Sequence, residues 1–207
     1  MTDTPIVIHA KTNASYASYG DTVNRVPLGE AVSRKFPEPV VFIVAPDGDG
    51  NPNVMPAGWS MFTSNDPLMI AVSVGFPRYT HDLLEAAEDY VIAFPSEAQK
   101  DDVVFCGSNS GADVDKIDVS NLTLAEPAVV STPLLEDAAA CFECRSGPSL
   151  ETGDHTIFAG EIVAAHVSER YDERLTNLGR DWGDGPDRFK TLSELLGSEG
   201  IPQSHSQ

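Results

Sequence analysis

The chain has 207 residues, 41% of them hydrophobic, which is enough apolar material for one core, so we expect a single globular domain over residues 1–207. Its 32 acidic and 13 basic side chains give a net charge of -19, which disfavours nucleic acids and anionic membranes as partners because both need clustered Lys and Arg. The sequence has no run of eighteen apolar residues and does not begin with the pattern of a secretory signal, so we expect a soluble, cytoplasmic protein.

Six segments have the composition of β-strands. They are rich in branched and aromatic residues and are bounded by Gly, Pro, Asp or Asn. In chain order they are VVFIVAP, NPNVMPA, PLMIAVSVG, YVIAFPS, ACFECRSG and DHTIFAGEIVAAHVSE. The Asp-Gly signals after the first segment predict a tight reversal into the second. A turn at Pro-Ser-Leu-Glu-Thr-Gly is predicted between the last two, which would then pair antiparallel.

Helices are fewer than strands in this pattern. We predict them at LGEAVSRKF, THDLLEAAEDY, EAQKDDVVFCGS and FKTLSELLG, with Thr80 as the N-cap of the second. Residues 1–37 are interpreted as an N-terminal arm, and the polar end SEGIPQSHSQ is expected to be disordered. A parallel sheet would need a helix after nearly every strand. The sequence therefore predicts a mainly β fold, a closed or nearly closed antiparallel barrel with helical insertions.

Metal and redox motifs are weak in this sequence. Cys141 and Cys144 lie three residues apart in a predicted strand, so their sulfurs should be on opposite faces, and no second pair completes four ligands. With Cys106 the number of cysteines is odd, which fits a reducing compartment. The five histidines are scattered along the chain. We expect structural cysteines and no metal site.

The segment PAGWSMFTSNDP, residues 56–67, fits neither the helix pattern nor the strand pattern, although it lies between two predicted strands. Gly58 would let the backbone approach a ligand closely, and the Ser, Thr and Asn residues after it supply short hydrogen-bonding groups. Such a segment could hold a flat ligand against exposed main chain. A β-bulge, or a loop turning the corner of a barrel, would explain the same composition.

A second polar cluster stands at the start of the helix predicted at THDLLEAAEDY. Arg78 and Thr80 precede the first helical turn, where a phosphate would gain the guanidinium, the hydroxyl and the free backbone N–H groups. His81 could add a contact or face the solvent. A capped helix with a solvated arginine is the alternative, and the spacing leaves both open.

Four motifs occur in the order and spacing of one known family. They are NVMPAGWSMFTSNDP, FPRYTH, VVFCGSNSGADVDK, and ECR followed by ETGDHTIFAGEIV. With these motifs the chain resembles the flavin reductase-like family, and most of all its flavoredoxin branch, from about Pro39 to Val167. The resemblance implies an FMN-binding split barrel of six antiparallel strands in Greek-key order, with its core at about residues 39–170. It also implies a homodimer with FMN near the subunit interface.

The resemblance implies roles for individual residues. The isoalloxazine ring would be lined by Ala57, Gly58, Trp59 and Ser60, with Ser64 and Asn65 beside it. The phosphate end would be held by Arg78, Tyr79 and Thr80, and a loop closing over the cofactor, from the same or the partner subunit, would contain Ser110, Gly111, Asp115 and Lys116. The candidate catalytic residue is His155, near the flavin face where a nicotinamide could stack.

Two of these residues have an alternative reading. Lys116 stands among Asp113, Asp115 and Asp118 and could pair with them instead of with an anionic ligand. His155 could be a strand histidine that forms a hydrogen bond across the ladder.

The activity that the resemblance implies is that of an oxidoreductase. Hydride would pass from NADH or NADPH to FMN, and the electrons would then go to oxygen, a partner protein or a diffusible flavin. The alternative is a flavin-binding electron carrier that has no nicotinamide site and is reduced by another protein. A third reading, an oxidase like the pyridoxamine-phosphate oxidases that share the barrel, is disfavoured by the sequence GDH at residues 153–155.

The acidic composition predicts that stability depends on salt. Acidic residues are spread along the chain, so their mutual repulsion should destabilise the folded state in dilute buffer. The Debye length falls to about 3 Å at 1 M salt, which would screen most of this repulsion. We therefore expect a halophilic protein whose melting temperature rises between dilute buffer and about 1 M KCl. Thermal unfolding followed by circular dichroism measures this, and a melting temperature independent of KCl would contradict it.

Overall fold

A seven-stranded antiparallel sheet is the main feature of the computed structural model, which describes residues 25–169, 171–179 and 185–196. Most of the predicted arm, residues 1–24, and the predicted disordered end SEGIPQSHSQ lie outside these residues. No helix within the three ranges is long and apolar enough to cross a membrane.

The strands confirm the predicted antiparallel, mainly β fold. In chain order they are β1 (Glu38–Pro39), β2 (Val41–Pro46), β3 (Pro52–Ala57), β4 (Ser60–Asn65), β5 (Leu68–Gly75), β6 (Asp89–Phe94), β7 (Leu124–Ala125), β8 (Leu134–Leu135), β9 (Ala140–Thr152), β10 (His155–Val167), β11 (Leu175–Asn177) and β12 (Phe189–Thr191). The main sheet has the order β3-β2-β6-β9-β10-β5-β4. Two small sheets, β1-β11-β12 and β7-β8, complete the strands of the described residues. All six predicted strands are present, and β4 is added to them.

The helices are short and lie between strands. They are α1 (Leu28–Ser33), α2 (Tyr79–Ala86), α3 (Lys100–Ser108), α4 (Lys116–Val119) and α5 (Leu192–Leu196), with 3-10 turns at Glu97–Gln99, Tyr171–Glu173 and Gly185–Arg188. The helix predicted at FKTLSELLG begins only at its fourth residue, because the first three form β12.

The predicted N-cap of α2 is wrong. The N-cap residue is Arg78, and Thr80 is the second residue of the helix. The Thr80 hydroxyl accepts a hydrogen bond from Nδ2 of Asn53, at 2.8 Å, and caps nothing. No side chain caps the start of α2.

The segment PAGWSMFTSNDP contains a strand that its pattern did not predict. Residues Ser60–Asn65 form β4, which pairs only with β5 and has a register shift between Phe62 and Ser64. Because β4 is an edge strand with exposed or half-exposed residues throughout, it lacks the alternation of a half-buried strand. The β-bulge alternative describes this segment better than a loop.

The turn predicted at Pro-Ser-Leu-Glu-Thr-Gly is also displaced. Strand β9 continues through these residues to Thr152, and β10 begins at His155, so that only Gly153 and Asp154 form the turn. Gly153 has a φ of 59°, which is easily adopted by glycine in a tight hairpin. The predicted antiparallel pairing of the two strands is confirmed.

The main sheet closes on itself through two residues. Strands β3 and β4 are at opposite ends of the strand order, yet only Gly58 and Trp59 separate them in the chain. Two residues cannot span more than about 11 Å between Ala57 and Ser60. The sheet must therefore curl until its two edges meet, which gives a barrel with an unpaired seam between β3 and β4.

Two apolar clusters cover the two faces of the sheet. One contains residues of β2, β5, β6, β9 and β10 with Leu83 and Leu84 of α2, and it fills the barrel. The other packs the outer face of β2, β3, β6 and β9 against α3 and the segment 122–138. Cys144 belongs to the first cluster and Cys141 to the second, so their predicted opposite orientation is confirmed. Burial raises the pKa of both thiols, to about 12 and about 11, so both remain neutral thiols.

A buried carboxylate holds the outer layer to β9. Glu143 is fully buried, and its two oxygens accept hydrogen bonds from the successive backbone N–H groups of residues 128–130, at 2.7 to 2.8 Å. Nε2 of His166 on β10 lies 2.6 Å from the same carboxylate. Burial alone would raise the pKa of Glu143, but the donors of Ala128, Val130, His166 and Val129 outweigh it and lower the pKa to about 2.

We expect Glu143→Gln to destabilise the fold by about 1 to 3 kcal/mol, because the amide leaves buried donors unpaired. Since the folded-state pKa lies below the usual 4.5, the stabilisation by the carboxylate is complete above about pH 4.5 and is lost as the pH falls towards 2. The difference between the variant and the wild type should therefore shrink as the pH falls.

Urea unfolding at several pH values between neutral and acidic measures this difference. The matched control is Glu161→Gln, which removes one charge from an exposed position of β10. Equal unfolding free energies for the two variants at neutral pH would show that the Glu143 carboxylate does not hold the outer layer.

Candidate functional site

Two cavities contain most of the sequence-predicted residues. The first, the Arg78 cavity, has a volume of about 310 Å³ and is lined by Met55, Pro77, Arg78, Tyr79, Thr80, Cys106, Gly107, Ser108, Asn109, Ser110, Gly111, Asp113 and Lys116. The second, the Trp59 cavity, has a volume of about 370 Å³ and is lined by Lys35, Glu38, Gly58, Trp59, Ser60, Met61, Ala71, Val72, Ser73 and Ile157. Strand β3 contributes Met55 to the first cavity and leads directly into Gly58 of the second.

Arg78 is placed at the uncapped start of α2. Its backbone N–H donates to the Gly75 carbonyl, at 3.0 Å, which ends β5 and turns the chain into the helix. Its exposed guanidinium forms no hydrogen bond or ion pair with the described part of the chain. Tyr79 and Thr80 follow as the first helical residues, and the N–H groups of a first turn have no partner within the helix. A cation and free N–H groups thus face the same cavity.

Lys116 is a buried cation in the lining of the same cavity. Only 4% of the residue is exposed, and its ammonium donates to the carbonyls of Val54 and Cys106, both at 2.8 Å. Burial lowers the pKa of Lys116; Cys106 acts in the opposite direction, and the positive charge of Arg78 lowers the pKa further. None of the ion pairs found among the described residues joins Lys116 to Asp113, Asp115 or Asp118, so the local pairing considered from the sequence is not present.

The loop between α3 and α4 closes one side of the Arg78 cavity. The Ser110 carbonyl accepts from the N–H groups of Asp113 and Val114, which folds the loop back on itself. Ser110 and Gly111 line the cavity, whereas the Asp115 carboxylate caps α4 by accepting from Ile117 and Asp118. Asp115 therefore holds the start of α4 and does not line the Arg78 cavity.

The Trp59 cavity has an aromatic wall. Trp59 is 51% exposed, and its ring centroid lies 4.9 Å from that of His155, with 32° between the planes. The Lys35 ammonium lies 5.3 Å from the Trp59 ring centroid and pairs with Glu38. The Glu38 carboxylate packs so closely on Gly58 that any Cβ there would overlap it. Lys35 and Glu38 were not predicted, because the segment that contains them has no motif that signals a site.

The ring of His155 is fixed by its neighbour in the chain. Its Nδ1 lies 2.6 Å from Oδ1 of Asp154, and this hydrogen bond, followed by the charge interaction with His155, lowers the pKa of Asp154. Its Nε2 faces Gly75 at the end of β5. The ring contacts Trp59 and Asp154, so the alternative of a hydrogen bond across the ladder is not what the structure shows.

Some predicted residues lie outside both cavities. Ser64 and Asn65 pair with Met69 and Leu68 at the far end of β4, and Ser64 is about 13 Å along the strand from Ser60. Ala57 packs against the apolar cluster inside the barrel.

His81, beside the predicted phosphate residues, is buried on α2. Its Nε2 lies 2.9 Å from the Thr156 hydroxyl, and its side chain is 7% exposed. Within the described residues it forms, with exposed Asp82 and Glu85, the one group of three potential metal ligands. None of these three residues lines either of the two cavities.

Comparison with known proteins agrees with the sequence motifs. A family model described as a flavin reductase-like domain matches residues 33–184. The NADH-dependent FAD reductase of Streptomyces globisporus is 29% identical over 168 residues, which cover 81% of this chain and 90% of that protein.

Solved structures share the fold. The FMN-binding protein of Thermus thermophilus superposes with a TM-score of 0.66 at 26% identity, over 88% of this chain and 97% of that chain. The flavoredoxin of Desulfovibrio vulgaris (Miyazaki F) superposes with a TM-score of 0.69 at 22% identity, over 92% of this chain and 98% of that chain.

We expect Arg78→Ala to weaken FMN binding by about 1.5 to 3 kcal/mol, which is about ten- to a hundredfold, because the charge-assisted contact expected between its guanidinium and the cofactor phosphate would be lost. Quenching of flavin fluorescence during titration gives the dissociation constant. Arg145→Ala, which removes the same charge from an exposed position on β9, is the control and should leave the affinity unchanged. An Arg78→Ala protein that binds FMN as tightly as the wild type would remove Arg78 from the site.

Proposed function

Since the chain belongs to the flavin reductase-like family, we propose that it binds FMN and transfers electrons from NADH or NADPH to an acceptor. The observation that carries this proposal is the Arg78 cavity. It combines an unpaired guanidinium, a buried ammonium and an uncapped helix start in a chain whose net charge is -19. Cations without carboxylate partners in so acidic a protein are most simply explained by an anionic ligand.

The residues present fit the phosphate of FMN. The proximity of Arg78 lowers the pKa of Lys116, so the two cations repel each other, and a phosphate between them would relieve this repulsion. The N–H groups of Tyr79 and Thr80 at the start of α2, with the Thr80 hydroxyl, would complete the donor set. The loop that contains Ser110 and Gly111 would close over the phosphate.

The seam between β3 and β4 fits the flat part of the cofactor. Gly58, Trp59 and Ser60 line the Trp59 cavity, and Ala57 precedes them at the end of β3. The ring, when bound there, would supply the redox chemistry, and the protein would supply binding, orientation and the exclusion of water. Trp59 would cover the ring edge, and the main chain at Gly58 would approach it closely.

His155 is proposed to orient the nicotinamide. It contacts Trp59, and Asp154 holds its Nδ1, so that the plane of the imidazole is fixed. An aromatic group held in this way beside the cavity can stack on an incoming ring and reduce its freedom. No side chain need move a proton in this scheme.

A homodimer is part of the proposal. Strand β4 and its flanks expose Trp59, Met61, Phe62 and Leu68, which are 42% to 59% exposed, and β4 is the strand at one unpaired edge of the sheet. So apolar an edge is commonly covered by a partner. A second copy of the chain would cover it and would bring Ser64 and Asn65, which lie outside both cavities, to the subunit interface.

An electron carrier reduced by another protein is the second candidate. The ion pair of Lys35 and Glu38 lies in the lining of the Trp59 cavity, with Glu38 packed on Gly58, and would narrow the access of a nicotinamide. In this case the acceptor and the donor would both be proteins, and the acidic surface would select basic partners.

The two candidates are separated by anaerobic mixing of the FMN-loaded protein with NADH or NADPH, followed at the visible absorption band of the flavin. We expect rapid bleaching with at least one donor. We also expect His155→Ala to slow bleaching by about ten- to a hundredfold, because the donor is less well oriented, with the FMN affinity unchanged. Glu151→Ala, at an exposed position of the same hairpin, is the control.

Three results would change the proposal. Absence of bleaching with either donor would favour the electron carrier. Bleaching that is equally fast in the His155→Ala variant would remove His155 from the site. A purified protein that shows no flavin absorption after FMN has been added and the unbound flavin removed would refute both candidates.

A further inference from the structure

Asn53 contacts two of the elements that surround the Arg78 cavity. It lies on β3 and is 8% exposed, and its Nδ2 donates to the Thr80 hydroxyl of α2 at 2.8 Å. Its Oδ1 packs against Gly111 of the loop that precedes α4. The next residue, Val54, accepts the hydrogen bond of Lys116 through its carbonyl. One dipeptide of β3 thus contacts the helix start, the loop and the buried ammonium.

The amide of Asn53 is only half satisfied. Its buried Oδ1 has no hydrogen-bond partner, whereas buried polar atoms in folded proteins nearly always have one. An apolar side chain of similar size would fill the same space without this cost. The amide is therefore best explained by its effect on Thr80.

The hydrogen bond from Asn53 determines which way the Thr80 proton can point. A hydroxyl has one proton to donate and accepts through its lone pairs. Because Nδ2 of Asn53 is a donor, it occupies a lone pair of the Thr80 oxygen, and the Thr80 proton must point elsewhere. Thr80 lines the Arg78 cavity, so the proton is available to an acceptor there.

We propose that Asn53 is a positioning residue that turns the Thr80 hydroxyl into a hydrogen-bond donor for the phosphate of bound FMN. The inference rests on the proposed FMN site and adds to it a residue that need not touch the cofactor. Asn53 acts on the phosphate end alone, because its side-chain contacts are with Thr80 and Gly111 and it does not line the Trp59 cavity.

Gly111 gives a second, independent way to disturb this arrangement. A Cβ at position 111 would overlap Oδ1 of Asn53 and would lie 3.2 Å from the Tyr79 ring. Gly111→Ala would therefore push the Asn53 amide away from Thr80, or the loop away from the cavity, without changing any hydrogen-bonding group.

The test compares the affinities for FMN and riboflavin, which differ only in the phosphate. For Asn53→Ala we expect the FMN affinity to fall about tenfold, with the riboflavin affinity changed less than about twofold. Asn53→Asp should weaken FMN binding more than Asn53→Ala, because its carboxylate would accept the Thr80 proton and repel the phosphate. Gly111→Ala should change the preference for FMN in the same direction as Asn53→Ala.

A double-mutant cycle tests the route through Thr80. Thr80→Val should reduce the preference for FMN over riboflavin, Thr80→Ser should retain it, and adding Asn53→Ala to Thr80→Val should cause no further loss. Asn121→Ala, at an exposed position after α4, is the matched asparagine control. Circular dichroism of each variant without flavin shows whether it is folded, and if Asn53→Ala is not, Asn53→Leu, an apolar side chain of similar size, is measured in its place with the same expected result.

Two outcomes would overturn the inference alone. One is an unchanged FMN preference in folded Asn53→Ala, while Arg78→Ala loses the preference. The other is an equal loss of FMN and riboflavin affinity, which would indicate a merely structural role. A wild-type protein that binds riboflavin as tightly as FMN would instead refute the phosphate site of the proposed function, and the inference with it.

Discussion

The two-residue connection between β3 and β4 is the constraint on which the rest of the structure depends. Gly58 and Trp59 join the two ends of one seven-stranded sheet, so the sheet can only exist as a barrel with a seam. At the seam the backbone of each edge strand lacks a strand partner on one side. The Val54 carbonyl on β3 is bound by Lys116, and the Trp59 carbonyl accepts from Ser73. Both cavities of the candidate site include residues beside this seam, Met55 of β3 in one and Gly58, Trp59 and Ser60 in the other.

Burial on both faces explains which strands the sequence could predict. Strand β2 is buried at five of its six residues, and such a run of branched side chains has no other common reading. Strand β4 could not be predicted, because an edge strand exposed on both faces has neither the alternation nor the apolar run. The turn before His155 was misplaced because Pro148 and Gly147 usually mark turns, whereas here they lie within β9.

The residues of the candidate site also differ in whether the sequence could predict them. Arg78, Thr80 and Lys116 could be predicted, because motifs in a fixed order mark them and each has a side chain suited to an anion. Lys35 and Glu38 could not, since their contacts with Trp59 and Gly58 join segments about twenty residues apart without any motif. Asn53 was missed for another reason. Its sequence context is that of a strand residue after a turn, and only the structure shows that its amide donates a hydrogen bond to Thr80.

Two buried charges, Glu143 on β9 and Lys116 beside β3, differ in how they are compensated. On β9, Glu143 is surrounded by donors from residues 128–130 and His166, so that its charge is fully compensated within the chain. Beside β3, Lys116 is compensated only by two carbonyl dipoles, and Arg78 adds charge of the same sign. A completely satisfied network is rigid and serves folding. The Lys116 ammonium is not fully compensated, so an anionic ligand would still stabilise its charge. This difference in charge compensation, more than exposure or cavity size, distinguishes the proposed phosphate site from the Glu143 network.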